Sequence, residues 1–268
     1  AKRIACGQER EPALRLITEK RLAHSCDRIV APTLREKDLL SRYYNVPEEK
    51  IGIIPCGVNL ERFRPVTKEL ARRELGLHDI RYIVLYVGRF APVKGIQRLL
   101  AAAGHLRSYE GLRFMIIGGD GPQAHAFAEL SRFARRASVE DKVRFIGRVE
   151  HDLLPLYYSA ADVLVLPSYY ESFGLVALES LACGTPVIAT RVGAMDALIQ
   201  DGRTGILLDA PSPYSLASAI KKCITGSSNG SPSREDIRKH VLNYSWSNIA
   251  LGVVKEYSTA LRASAGGE

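Results

Sequence analysis

The stretch Pro167-Ser168-Tyr169-Tyr170-Glu171-Ser172-Phe173-Gly174-Leu175-Val176-Ala177-Leu178-Glu179 decides how this chain reads. The apolar run before it, Val163-Leu164-Val165-Leu166, reads as a buried strand. Beyond it, Leu178, Leu181 and Ala182 recur at helical spacing. Two carboxylates, Glu171 and Glu179, thus straddle a strand-to-helix turn. In open α/β sheets such turns, at the carboxyl ends of strands, are where ligands bind. Gly174 lets the backbone come close to a ligand. The amides of Phe173, Gly174, Leu175 and Val176 at the helix start suit phosphate or sugar oxygens. Each carboxylate can accept paired hydrogen bonds from vicinal hydroxyls. The combination predicts a sugar nucleotide at this turn.

Working outward, the same kind of turn recurs. Gly88-Arg89-Phe90-Ala91-Pro92-Val93-Lys94-Gly95 follows a strand and opens a helix. Its two cations, five residues apart, can converge on one diphosphate, Arg89 as a planar fork and Lys94 as a point charge. Gly118-Gly119-Asp120-Gly121-Pro122 is a tight turn ahead of a helix; it does not match the dinucleotide fingerprint. Gly147-Arg148-Val149 ends another strand at the same rim, where backbone groups can read a nucleobase edge.

From about residue 67 strands and helices alternate: strands at 80–87, 112–117, 143–146, 162–166, 186–189 and 205–208, helices between them. Six strands alternating with helices predict a doubly wound parallel sheet of the Rossmann-like α/β class. Before it, the sequence suggests a helix at 13–26 with Leu14, Ile17 and Leu22 near one face. A strand near Ile29 follows, then a Thr33/Glu36 capping box and a strand at 51–55. Two strands are too few for an independent sheet. The expected division is residues 1–65 as the tail of an incomplete N-terminal, acceptor-side unit with linker, 66–224 as the ligand-binding domain, and 225–268 as a linker and C-terminal helices. In the last helix Ile249, Val253, Tyr257 and Leu261 form an apolar edge expected to pack back on the first unit.

Bulk properties narrow the class. The chain has 268 residues, a formal net charge of +8 and an ordinary apolar fraction. Its densest basic runs, Lys20-Arg21, Arg72-Arg73 and Arg135-Arg136, are not interleaved with aromatics, which argues against a nucleic-acid groove. No run approaches the roughly 20 apolar residues of a membrane span. The first residues carry neither an initiator Met nor a signal peptide, so the chain is expected to begin mid-protein. The five cysteines are widely spaced and lack metal-ligand pairing; they are expected to be mostly buried thiols in a reducing cytoplasm.

Taken together, G-R-F-A-P-V-K-G, I-G-G-D-G-P, F-I-G-R-V, P-S-Y-Y-E-S-F-G-L-V-A-L-E-S-L-A-C-G-T-P-V-I-A-T and D-G-R-T-G-I-L-L resemble the retaining glycosyltransferases of family four, which have the GT-B fold. The resemblance runs from about residue 14 to the end. It implies two facing Rossmann-like domains, the second binding a nucleotide diphosphate sugar (the base open among uridine, guanosine and adenosine), with no metal ion and no cofactor beyond that donor. It implies that Arg89 and Lys94 hold the diphosphate and stabilise the leaving group, and that Glu171, with the amides around Phe173 and Gly174, holds the hexose and phosphate. Arg89, Lys94 and Glu171 are thus the catalytic candidates. Glu179 would hold the ribose, Arg148 and Val149 would lie near the base, and Gly88, Gly118, Leu175 and Val176 would line the donor. The implied partners are the donor, a carbohydrate or lipid-linked acceptor, and an N-terminal Rossmann-like domain missing from this chain. The implied location is cytoplasmic, with peripheral membrane contact open.

Two departures stand out: Gly193-Ala194-Met195-Asp196-Ala197 replaces a second Gly and a Pro-Glu, and Asn59 stands where Asp is common. Rival classes fit less well. A glycosidase would leave Arg89 and Lys94 without a purpose, and an epimerase would carry different motifs around Glu171. A donor-binding module without transfer activity of its own remains the alternative.

Overall fold

A computed structural model describes residues 12–119, 125–226 and 232–265. Two sheets organise them. The larger has six strands: β3 (Tyr82–Val87), β4 (Leu112–Ile117), β5 (Val143–Gly147), β6 (Val163–Leu166), β7 (Val187–Thr190) and β8 (Gly205–Leu208). They lie in the order β5-β4-β3-β6-β7-β8 and every pairing is parallel. Counted along the chain this is 3-2-1-4-5-6, the doubly wound order whose switch point falls between the first and fourth strands, here β3 and β6.

The strands are apolar throughout because both faces are covered. Along β3, Ile83, Leu85 and Val87 face one core and Val84 and Tyr86 the other. The first core is closed by α3 (Lys68–Glu74), α6 (Leu154–Ala160), α7 (Leu175–Ala182), α8 (Met195–Leu198) and α10 (Arg234–Lys239). The second is closed by α4 (Ile96–His105), α5 (His125–Arg136) and α9 (Pro213–Ile224). Each fully buried Leu, Ile or Val here contributes about 1.5–3 kcal/mol.

Helix α9 was not expected from the sequence. Ser212 caps it in a complete capping box with Ser215, and Leu216, Ala219, Ile220 and Ile224 bury one face. The Thr33/Glu36 box forms by half. Thr33 accepts the Glu36 amide, but the Glu36 carboxylate accepts the Tyr170 hydroxyl at 2.7 Å instead.

The smaller sheet pairs β1 (Ile29–Ala31) with β2 (Ile51–Ile53), flanked by α1 (Ala13–Ser25) and α2 (Leu34–Tyr44). Leu14, Ile17 and Leu22 on α1 are exposed. The last helix, α11 (Trp246–Ala265), reaches this unit. Glu256 pairs with Arg28 at 2.5 Å, and Gly57 is tight against Trp246 and Ile249. The predicted apolar edge splits: Ile249 is buried and Val253 half-buried, while Tyr257 and Leu261 are exposed. Two arginines of α10 tie the junction. Arg238 donates to the carbonyls of Leu60, Phe63 and Ala182, and Arg234 to those of Val66 and Ser159.

Of the cysteines, Cys6 lies outside the described residues. Among the described residues only Cys183 is fully buried; Cys26, Cys56 and Cys223 are half-buried, so the expectation of mostly buried thiols is corrected. Burial pushes the Cys183 thiol up to about 12, which leaves it unreactive. Among the described residues no helix is long and apolar enough to cross a membrane.

Candidate functional site

The carboxyl ends of β3 and β6 diverge at the switch point, and the loops leaving them close over one cavity of about 200 Å³. Its lining includes Gly88, Arg89, Lys94, Glu171, Gly174 and Val176. Tyr86 and Ser168 add polar groups, and Val87, Leu166 and Leu175 complete the lining.

The two loops are locked to each other through the backbone. Pro92–Lys94 form one tight helical turn, and Gly95 follows in the left-handed region at φ 68°. A Cβ there would overlap the Pro167 carbonyl, so glycine is what lets the loops touch. The Tyr169 amide donates to the Val93 carbonyl at 2.8 Å. Arg98, in the first turn of α4, donates to the Pro167 carbonyl at 3.0 Å and stacks 4.1 Å from the centre of the Tyr169 ring.

This zipper brings Lys94 and Glu171 together. Lys94 Nζ donates to Glu171 Oε1 at 2.6 Å and Oε2 at 2.7 Å. Ser168 Oγ adds a bond to Oε1 at 2.8 Å. Both charged side chains are largely shielded, 20% and 11% exposed, where a pair is screened little. Arg89, by contrast, is exposed at the mouth, its carbonyl held by the buried Tyr86 hydroxyl at 3.1 Å. Burial pushes the Tyr86 phenol up, so it stays a neutral donor.

Gly174 opens α7 at φ 103°, and a Cβ there would collide with the Met195 methyl group. Leu175 and Val176 line the cavity at a helix start that no side chain caps. Phe173 turns its ring into the core, where it packs near Tyr244 at 6.3 Å between centroids.

Glu179 lies outside this cavity lining, on α7. The buried Tyr158 hydroxyl donates to its Oε2 at 2.7 Å, and His151 Nε2 lies 3.4 Å from Oε1. Burial raises the Glu179 carboxyl above the usual range, while the bonds from Tyr158 and His151 pull it part of the way back. Gly118, Arg148 and Val149 also lie outside the lining. The Gly118 amide donates to the Gly147 carbonyl at 2.8 Å, and Gly118 is packed so closely on the Gly88 carbonyl that a Cβ would overlap it. Three βα turns thus sit side by side along the rim. Arg148 is exposed and Val149 half-buried on the first core.

Sequence reasoning did not find Arg98, Ser168, Tyr86, Tyr158 or His151. Arg98 carried a signal, being four residues beyond Lys94. Tyr158 and His151 carried none, because they reach Glu179 from a different crossover.

The family model described as "Glycosyl transferases group 1" matches residues 67–242, the six-stranded unit and its closing helix. The chain belongs to this family. A second model, "Glycosyltransferase Family 4", matches residues 3–62 of this glycosyl transferases group 1 member. The chain is 36% identical over 266 residues to "D-inositol 3-phosphate glycosyltransferase 2" of Catenulispora acidiphila, covering 96% of this chain and 62% of that protein. It is 37% identical to "D-inositol 3-phosphate glycosyltransferase" of Streptomyces bingchenggensis, over 97% of this chain and 58% of that one. Among solved structures, sucrose-phosphate synthase from Thermosynechococcus elongatus superposes with a TM-score of 0.83 at 35% identity, covering 95% of this chain and 63% of its own. The chain therefore spans about three fifths of the length of these relatives. The α/β, Rossmann-like, GT-B reading of the sequence holds.

Proposed function

We propose that this chain supplies the donor-binding half of a retaining glycosyltransferase that moves a hexose from a nucleotide diphosphate sugar to an acceptor hydroxyl. The observation that carries the reading is the cavity at the β3/β6 switch point, where Lys94, Arg89 and an uncapped helix start face one space beside a hydrogen-bonded carboxylate. Cations and helix amides suit a diphosphate. A carboxylate suits the hydroxyls of the transferred sugar.

In the proposed reaction the bond between the sugar's anomeric carbon and the diphosphate oxygen breaks, and a bond from the acceptor oxygen forms on the same face. The acceptor proton passes to the departing diphosphate. Arg89, Lys94 and the Leu175 and Val176 amides meet the charge that develops on the leaving group, the preorganised electrostatics that often dominate catalysis. In this proposal the cations do that work without a metal ion. Glu171, released from Lys94 as phosphate enters, holds the hexose, and Glu179 holds the ribose. Gly118, Arg148, Val149 and the Phe173 backbone complete the donor contacts along the rim.

The relatives' printed names point to a phosphorylated polyol, D-inositol 3-phosphate, as one acceptor to try. The test incubates the chain with UDP-, GDP- and ADP-hexoses, with and without that acceptor, and follows diphosphate release. Acceptor-dependent release that Arg89→Ala and Lys94→Ala abolish supports transfer. Release unchanged by both substitutions contradicts it.

A second reading, a module that binds donor without transferring from it, is favoured by the two-stranded sheet that the described residues before Phe63 contribute. Donor binding with no release under any acceptor distinguishes it.

A further inference from the structure

We infer that His151, set by Arg62, is a positioning residue that aims the Glu179 carboxylate at the ribose hydroxyls of a nucleoside diphosphate; this rests on the donor reading above. The geometry starts in the segment between the two sheets. Asn59 Oδ1 accepts the amides of Glu61 and Arg62, each at 3.0 Å, which fixes that turn. Phe63 is buried beneath it. From this anchor Arg62 reaches His151, with an N–H donating to Nδ1 at 2.9 Å, while its Nε pairs with Asp152 at 3.1 Å.

A guanidinium can only donate, so Nδ1 must be the acceptor and the ring proton sits on Nε2. That proton faces Glu179 Oε1 at 3.4 Å. The Phe63 ring meets the imidazole edge-on at 5.1 Å and fixes its tilt. On the other side Tyr158 donates to Oε2 at 2.7 Å. Each carboxylate oxygen thus has one donor, and the plane of the group is set. An ionised carboxylate accepts about four hydrogen bonds in all. The remaining lone pairs suit two neighbouring hydroxyls, the chemistry of a ribose 2′,3′-diol.

His151 is 53% exposed, so about half of its side chain is covered by these neighbours. Its placement is explained by what its two nitrogens orient. It acts through Glu179 and need not touch the nucleotide.

The test is calorimetric titration of the chain with UDP, GDP and ADP and with their 2′,3′-dideoxy counterparts. Wild type is expected to prefer the ribose form of whichever nucleotide binds. His151→Phe is expected to lose about 3- to 10-fold of that preference, the worth of one hydrogen bond, while its affinity for the dideoxy form stays unchanged. His151→Gln, whose amide can still donate to Glu179, is expected to keep the preference to within about twofold. A His151→Phe variant that keeps the full preference overturns the inference, as does equal loss of both forms, which would mark a structural role. Nucleotides that bind wild type without any ribose preference overturn it and leave the donor reading standing. Failure of all the nucleotides to bind overturns the donor reading and the inference with it.

Discussion

Lys94 Nζ donates to both carboxylate oxygens of Glu171, at 2.6 and 2.7 Å, so the cation that faces the cavity is already held by a neighbouring anion. An incoming phosphate must share or displace that carboxylate. Glu171→Gln frees Lys94 and is expected to raise affinity for a bare nucleoside diphosphate by about 3- to 30-fold. The same substitution is expected to lower turnover of the nucleotide sugar, because it removes a group assigned to the hexose. Titration and single-turnover assays read the two effects. Parallel loss of both would show that Glu171 serves to hold Lys94 in place for the phosphate and does not compete with it.

Removing the other partner tests the pair from the opposite side. Lys94→Ala leaves Glu171, 11% exposed, with Ser168 as its donor. An unpaired, mostly shielded carboxylate costs about 1–3 kcal/mol, less than for a fully buried pair. The double variant Lys94→Ala/Glu171→Ala is expected to be less destabilised than the sum of the single ones, read from urea midpoints. Additive losses would show that the contact contributes nothing.

Gly95→Ala tests the zipper between the loops. The residue sits at φ 68°, and a Cβ would overlap a backbone oxygen that cannot swing aside. The expected loss is about 2–4 kcal/mol, combining left-handed strain with displacement of Pro167. Since Lys94 and Glu171 ride on the displaced loops, nucleotide affinity should fall with stability. Affinity kept intact in a destabilised Gly95→Ala protein would count against the loops' joint role.

Glu179 links stability to pH. Burial raises its pKa in the folded protein, so the folded state binds this proton more tightly than the unfolded chain. Stability from this group therefore falls as pH rises from the ordinary glutamate value through the raised folded value, and below that window the penalty is absent. Glu179→Gln removes the penalty while still accepting the Tyr158 hydroxyl. The variant is expected to be at least as stable as wild type near neutral pH, with the difference vanishing in acid. Denaturation at several pH values checks this; a variant less stable only at neutral pH contradicts it.

The large sheet was legible because each strand is a short apolar run bounded by glycine turns, and because a parallel strand buried on both faces needs no alternation. Helix α9 was not, since its buried face is built partly from Ala217 and Ala219, too small to stand out as a stripe. In the candidate site, Lys94 and Glu171 were legible as chemistry on separate turns. Their contact was not, because it depends on β3 and β6 lying side by side, which brings together residues 77 positions apart and which local pattern does not encode. The Thr33/Glu36 box formed only by half for a similar reason. A tertiary partner, the Tyr170 hydroxyl, took the Glu36 carboxylate and tied the loop carrying Glu171 to α2.

The claim on which the rest depends is that the β3/β6 cavity binds a nucleoside diphosphate through Lys94 and Arg89. Calorimetric titration of UDP, GDP and ADP into wild type and Lys94→Met at low ionic strength tests it most directly. The account predicts that at least one nucleotide binds wild type and that Lys94→Met weakens it by about tenfold or more, the worth of a charge-assisted hydrogen bond to phosphate. Equal affinity in the two proteins, or no binding by either, would contradict it.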